Sequence, residues 1–304
     1  MCRLYGFRAN EETKVECSLV QAQNALILQS ESDEIGRMHP DGWGISVYNQ
    51  RVPDVERRAT AAYQDLHFSH TAERIFAKTV VAHVRQATVG GISLNNTHPF
   101  TYDCWTFAHN GTLSGFDRLQ SRIIEETDPE LQELQQGTTD SEHIFYWLLT
   151  RLKEHGFALS LDVSDELAVG QVVADAVQTL ANWSGEFEAA DPPKLNLVLT
   201  NGVIFVATRW NNSLHWVARE NIHDCELCGI PHIRHRGGVT YRAVVVASER
   251  ISQEEWTELP NRSVLMVGEE LQPRIQPIKS LRMASSLGHS KKRSTVTSKN
   301  GFGK

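Results

Sequence analysis

LNLVLTNGVIFVATRW (195–210) reads as two short apolar, β-branched runs separated by Asn201-Gly202, the pattern of an antiparallel hairpin closed by a two-residue turn. Further strand-like runs follow in TYRAVVVAS (240–248) and SVLMVG (263–268). Upstream, GISVY (44–48), TVVAHVRQATV (79–89) and WTFAH (105–109) have the same character, and each lies beside Gly or Asn punctuation. Two helices are predicted between these groups. One opens at Thr139-Asp140-Ser141-Glu142 and continues through the apolar positions Ile144, Phe145, Trp147, Leu148 and Leu152, with Thr139 or Asp140 at its N-cap. The other covers residues 165–183 and turns Val169, Val172, Val173, Ala176, Val177 and Leu180 to one face. Strands clustered on both sides of mid-chain helices favour antiparallel sheets with packed helices over a parallel βαβ sheet, which makes the fold class α+β.

The ends of the chain behave differently. No apolar run approaches the ~20 residues of a membrane span, and residues 1–10 lack the apolar core of a secretory signal. Five cysteines (2, 17, 104, 225 and 228) form an odd, scattered set that suits reduced thiols and a cytoplasmic location. The net charge of −7 is unevenly spread. Beyond Glu270 there are eight Lys and Arg and no acidic residue, leaving −15 on residues 1–270. An acidic body suits a soluble enzyme acting on a small molecule and disfavours extensive nucleic-acid binding. Residues 271–304 are expected to form a disordered basic tail, too poor in apolar residues to offset the entropy of ordering. Such a tail could contact nucleic acid or anionic lipid, but with Phe302 as its single aromatic residue it has no platform for base stacking.

Cys2 draws attention because Met followed by a small residue is the context in which the initiator is removed. Removal would place an α-amine and a thiol on one residue. An amine with a reference pKa of ~7.7–8.0 can accept the proton of a thiol near ~8.5, so no catalytic histidine is required. A lone early cysteine is more often a core residue. Its company argues otherwise: His39-Pro40-Asp41-Gly42-Trp43-Gly44, His83-Val84-Arg85-Gln86-Ala87-Thr88, Asn96-Thr97-His98-Pro99-Phe100, His109-Asn110-Gly111 and Thr139-Asp140-Ser141-Glu142 follow in order.

This set resembles the class II glutamine amidotransferases of the N-terminal-nucleophile hydrolases, over residues 2–270, and is most similar to the stand-alone bacterial type. The resemblance implies a four-layer αββα sandwich of two antiparallel sheets between helices. It implies Cys2 as nucleophile, with Asn110 and Gly111 as the oxyanion hole. Arg85 would hold the substrate α-carboxylate, Thr88 would support it, and Asp140 would pair with the α-ammonium. His98 would lie near the glutamine pocket, while His39, Asp41, Trp43, His83 and His109 shape or support the site. The expected reaction is cleavage of the γ-amide of glutamine or a γ-glutamyl compound through a Cys2 thioester, without a cofactor. Because the module fills the chain to about residue 270, any ammonia-accepting synthase would be a separate subunit. The alternative is an inactive relative serving as an adaptor or glutamine sensor. Without the resemblance, Asn110-Gly111 would read as a hairpin turn, Asp140 as an ordinary N-cap and Arg85 as a surface residue.

A second motif lies at HDCELCGIPHIRH (223–235). It reads as a metal-free loop between hairpin strands. Cys225, Cys228, His232 and His235 as tetrahedral zinc ligands are the alternative, with a spacing shorter than that of a zinc finger. A redox dithiol is a third option, without the helix that usually follows one.

Overall fold

The 195–210 hairpin is present, with a longer turn than the sequence suggested. The computed structural model describes residues 2–49, 52–159, 163–187, 191–221, 225, 228–234 and 237–279. In it Thr200 pairs with Phe205, so four residues make the turn. Gly202 alone among them takes a positive φ, +85°. Asn201 turns its side chain inward instead, where Oδ1 accepts the main-chain N–H groups of Val203 and Ile204 at 3.1 and 3.0 Å. A two-residue type I′ turn needs φ > 0 at both central residues; here the Asn side chain supplies the acceptor and the turn widens.

The chain runs β1 (Arg3–Lys14), α1 (Leu26–Glu31), β2 (Trp43–Tyr48), β3 (Asp54–Arg58), α2 (Leu66–Arg74), β4 (Phe76–Val84), β5 (Phe100–Tyr102) and β6 (Trp105–Thr112). Next come α3 (Phe116–Glu125), α4 (Pro129–Gln132), α5 (Asp140–Glu154), α6 (Glu166–Gly185), β7 (Lys194–Thr200), β8 (Phe205–Arg209) and β9 (His215–Glu220). The chain then continues through β10 (Arg242–Ala247), β11 (Thr257–Glu258), β12 (Ser263–Val267) and β13 (Arg274–Pro277). One sheet has the order β11-β9-β10-β1-β4-β2-β3 and the other β13-β12-β8-β7-β6-β5. Every pairing within them is antiparallel.

Three apolar layers hold the elements together. Leu4, Val81, Ala108, Val198, Val244 and Val246 lie between the sheets. Tyr5, Phe7, Ile45, Val80, Val245 and their neighbours pack the outer face of the first sheet beneath α1 and α2. Phe107, Leu197, Leu199 and Val206 meet α3, α5 and α6 on the outer face of the second. This is the expected αββα sandwich. It explains why β10 reads as an unbroken apolar run, since successive side chains enter different cores and both faces are covered.

Two boundaries differ from the sequence reading. The strand read at 79–89 ends at Val84, and Arg85 to Val89 leave the sheet to build the site. The tail expected from residue 271 contributes β13, paired along β12 from Ser263↔Pro277 to Met266↔Arg274, with Leu271 and Ile278 buried. Residues 280–304 lie outside the described residues.

Candidate functional site

Cys2 sits immediately before β1, the middle strand of its sheet, and is buried. Its Sγ lies 3.4 Å from both the carbonyl oxygen and the amide nitrogen of Gln86, just past the end of β4. Burial pushes the thiol pKa up, opposed by the Gln86 main-chain hydrogen bond and by the nearby Arg85 charge. A thiol in such a place needs a local proton acceptor to become nucleophilic at neutral pH.

A buried ionic cluster fixes this end of β1. Arg3 donates to the Cys2 carbonyl at 3.0 Å, to Glu249 at 2.6 Å and to Asp33 at 2.5 Å. Asn24 reaches the other oxygen of Glu249 at 3.1 Å. His39 Nε2 lies 3.3 Å from Asp33, and burial and the Arg3 charge lower its pKa to about 4. Sequence reasoning found His39 but not Arg3, Asp33 or Glu249. No short motif marks a salt bridge whose partners are 246 residues apart.

Arg85 is buried as it leaves the sheet. It spends its guanidinium on the carbonyls of Val89, Gly90 and Gly91 at 3.0–3.3 Å. Among the described residues no carboxylate forms an ion pair with it, and burial lowers its pKa while Cys2, Asp41 and Asp140 raise it. Asp41 secures the same turn: its side chain accepts the Ala87 N–H at 2.7 Å and its N–H bonds to the Arg85 carbonyl. Thr88 is exposed, bonded through Oγ1 to Thr112 at 3.0 Å. That distance ties the Arg85 turn to the end of β6.

Asn110 and Gly111 lie within β6, paired with Asn196 and Leu195, and so do not form a hairpin turn. The Asn110 side chain is fully buried; Nδ2 donates to Ser248 Oγ at 2.9 Å, while Oδ1 has no partner among the described residues. Ser248 Oγ also accepts the Leu4 N–H at 2.9 Å, so one hydroxyl joins Asn110 in the second sheet to the start of β1 in the first. At Gly111 a Cβ would lie 1.8 Å from the Lys194 carbonyl oxygen, so only glycine allows β6 and β7 to approach this closely.

Asp140 begins α5, whose N-cap is Thr139, bonded to the Glu142 N–H at 3.2 Å. Its buried carboxylate accepts the Leu113 N–H at 2.7 Å and the Ser141 N–H at 2.9 Å, anchoring the helix start beside the end of β6. Charge interactions link it to both Cys2 and Arg85. His109 lies between these elements. Its Nε2 faces the Lys194 carbonyl at 2.9 Å and so carries a proton, leaving Nδ1 near Ser141 Oγ at 2.9 Å.

His98 stands one layer behind. Its ring lies 4.2 Å from that of His83, tilted by 35°, and meets Phe100 edge-on at 4.6 Å, with neither ring nitrogen bonded among the described residues. His83 in turn faces the His109 carbonyl at 3.2 Å. Burial lowers the His83 pKa to about 3 and holds that of His98 well below the ordinary imidazole value, so both rings are neutral. The structure therefore brings Cys2, Arg85, Asn110, Gly111 and Asp140 around one junction of the two sheets, with Thr88 at its rim and His98 behind it.

The sequence of the whole folded body matches the description of class II glutamine amidotransferases, over residues 1–275. The chain belongs to this family. Relatives of this class II glutamine amidotransferase include the probable glutamine amidotransferase DUG3 of Saccharomyces cerevisiae, 27% identical over 295 residues that cover 88% of this chain and 82% of that protein. The gamma-glutamyl-hercynylcysteine sulfoxide hydrolase of Mycobacterium tuberculosis is 25% identical over 273 residues, covering 88% and 93%. A solved class II domain protein from Silicibacter pomeroyi shares the fold with a TM-score of 0.62 at 18% identity, over 92% of this chain and all of that one. The architecture and the family thus agree with the expectation from the six ordered motifs. In the family member described here, no helix among the described residues is long and apolar enough to cross a membrane.

The second motif has changed its membership. Cys225, Cys228 and His232 lie together, and the fourth residue of the group is Cys17, which follows β1. His235 is outside the described residues. A cavity of about 640 Å³ opens beside this group and not beside Cys2.

Proposed function

We propose that this class II amidotransferase, once Met1 is removed, hydrolyses the γ-amide of glutamine or of a γ-glutamyl compound through a Cys2 thioester. The reading rests on one observation: a buried thiol lies within charge-interaction range of Arg85, which has no carboxylate ion pair among the described residues, and of the buried Asp140 carboxylate, while Ser248 ties Asn110 to the start of the same strand. Arg85 takes the α-carboxylate of the substrate, Asp140 takes its α-ammonium, and Thr88 supports the rim. Both charged groups keep donors or acceptors engaged with the main chain, so they are held in place before substrate arrives. His98 and His83 form an uncharged wall behind the strand that bears Asn110.

In the first step the Cys2 amine accepts the thiol proton and sulfur attacks the γ-carbonyl carbon. The Asn110 amide and the Gly111 N–H face the developing oxyanion. Collapse breaks the carbon–nitrogen bond, the amine returns the proton to the leaving nitrogen, and ammonia or an amine departs. Water then adds to the thioester, and sulfur leaves as the thiol when glutamate is released. Hydrolysis of γ-glutamyl compounds draws support from the Mycobacterium relative, whose name describes such a hydrolase.

The test is glutamate release by purified protein from glutamine, γ-glutamyl peptides and γ-glutamyl amines, alongside the intact mass. Release from at least one of these, a mass lacking Met1, and complete loss in Cys2→Ala are expected. Release undiminished in Cys2→Ala would refute the mechanism, and tight glutamine binding without turnover would favour the sensor alternative.

A further inference from the structure

We propose that Cys17, Cys225, Cys228 and His232 form a structural zinc site, Cys3His in composition, that staples residues 228–234 to the far end of β1. The four ligand atoms all lie within 4.8 Å of one another. Cys17 Sγ is 3.6 Å from Cys225 Sγ and 3.9 Å from His232 Nε2, and Cys228 Sγ is 2.7 Å from the same nitrogen. A tetrahedral ion with Zn–S of ~2.3 Å and Zn–N of ~2.0 Å sets neighbouring sulfurs ~3.8 Å apart and a sulfur ~3.5 Å from nitrogen, so the ion enters once Cys228 Sγ and His232 Nε2 part by about 1 Å. The sulfurs of Cys17 and Cys225 are well beyond the ~2.05 Å of a disulfide bond.

The backbone is already shaped for this set. Cys225 and Gly229 close a turn, with the Gly229 N–H on the Cys225 carbonyl at 2.8 Å and the Cys225 N–H on that of Ile230 at 3.1 Å. The following residues lie against β1: Thr13 bridges Ile233, Lys14 N–H bonds to the His232 carbonyl at 2.7 Å, and Arg234 N–H to that of Glu12 at 2.9 Å. This pairing carries His232 and the Cys-x-x-Cys turn to Cys17, three residues past the strand. Four protein ligands leave no open position for water or substrate, which marks a structural rather than a hydrolytic ion. Distance argues the same way, since β1 is 12 residues long, ~40 Å when extended, and Cys2 is at its other end. Binding releases three thiol protons and leaves the zinc–tris(thiolate)–imidazole unit with one negative charge.

Metal analysis of the reduced full-length protein, purified and then incubated with one equivalent of zinc, tests the assignment. About one tightly held zinc per chain is expected, with three thiols shielded from a thiol reagent until a chelator removes the ion. Cobalt substitution should give a thiolate-to-metal charge-transfer band that falls by about a third in Cys17→Ser, provided circular dichroism shows that variant folded. The unsubstituted protein decides the matter if it is not. Zinc well below stoichiometry overturns the site, as does a chain two hydrogens lighter through a disulfide among these cysteines. A Cys17→Ser protein with unaltered zinc retention and cobalt spectrum overturns the role of Cys17.

Discussion

Replacing Asn110 by alanine should separate catalysis from stability. The side chain has one hydrogen bond, Nδ2 to Ser248, and one buried oxygen without a partner among the described residues. Losing the bond costs about 1 kcal/mol, and removing an unsatisfied buried acceptor returns about 1–3 kcal/mol. Ser248 Oγ keeps the Leu4 N–H, so no new orphan appears on that side. The space vacated by the amide costs about 1 kcal/mol more, leaving the folded state within about 1 kcal/mol of the parent and Tm within a few degrees. Turnover should respond quite differently. Loss of one oxyanion donor removes about 3–4 kcal/mol of transition-state stabilisation, a fall of 10²–10³-fold in kcat with KM little changed. The assay is steady-state glutamate release on the best γ-glutamyl substrate, with thermal unfolding of the same preparations. If Asn110→Ala retains kcat within about threefold, the oxyanion assignment fails. If activity vanishes together with about 3 kcal/mol or more of stability, the residue is a structural link between the sheets.

Arg85→Lys should raise KM by roughly 10–100-fold and lower kcat less, because one ammonium cannot hold three carbonyls and also grip a carboxylate in two places; unchanged KM would place the substrate elsewhere. Arg3→Met leaves Asp33 and Glu249 buried without their shared cation and should cost about 3–5 kcal/mol in chemical denaturation, so a cost below about 1 kcal/mol would contradict the buried cluster. Acid should destabilise the fold before carboxylates titrate. His39 and His83 are lowered to about 4 and about 3 from an ordinary 6.5, so the unfolded chain binds their protons first. Their contribution is complete above pH ~6.5 and is lost as pH falls, by about 2–3 kcal/mol each near pH ~4.5; urea midpoints that stay level from pH ~7 to ~4.5 would show that these rings are not buried neutral.

The fold class was legible because helices α5 and α6 and the 195–210 hairpin carry clean periodicities. β1 was not, although it is the central strand. Its sequence, RLYGFRANEETK, sets Arg3, Arg8, Glu11 and Thr13 among apolar residues, and all four are buried with polar partners, so alternation is hidden. The candidate site was legible as motifs because Cys2, Arg85, Asn110 and Asp140 each sit where an element begins or ends or within a glycine-bearing strand. What connects them was not. Ser248 follows β10 and acts on Asn110 from 138 residues away, and Cys17 meets Cys225 across 208. The Asn201-Gly202 turn was misjudged because an Asn side chain turned into a loop and an Asn backbone at positive φ look alike in sequence.

Cys2, Arg85 and their anchors ride on the first sheet, while Asn110 and Gly111 ride on the second. In the proposed mechanism the attacking atom and the group that steadies its product are therefore mounted on two plates, pressed together by Leu4, Val81, Val198, Val244 and Val246 and pinned at Ser248. A shear of one plate over the other would misalign the reaction without disturbing either half. On that mechanism the apolar seam is an alignment device as well as a core, and methyl groups remote from any substrate set how closely sulfur and oxyanion donor are aimed at one carbonyl.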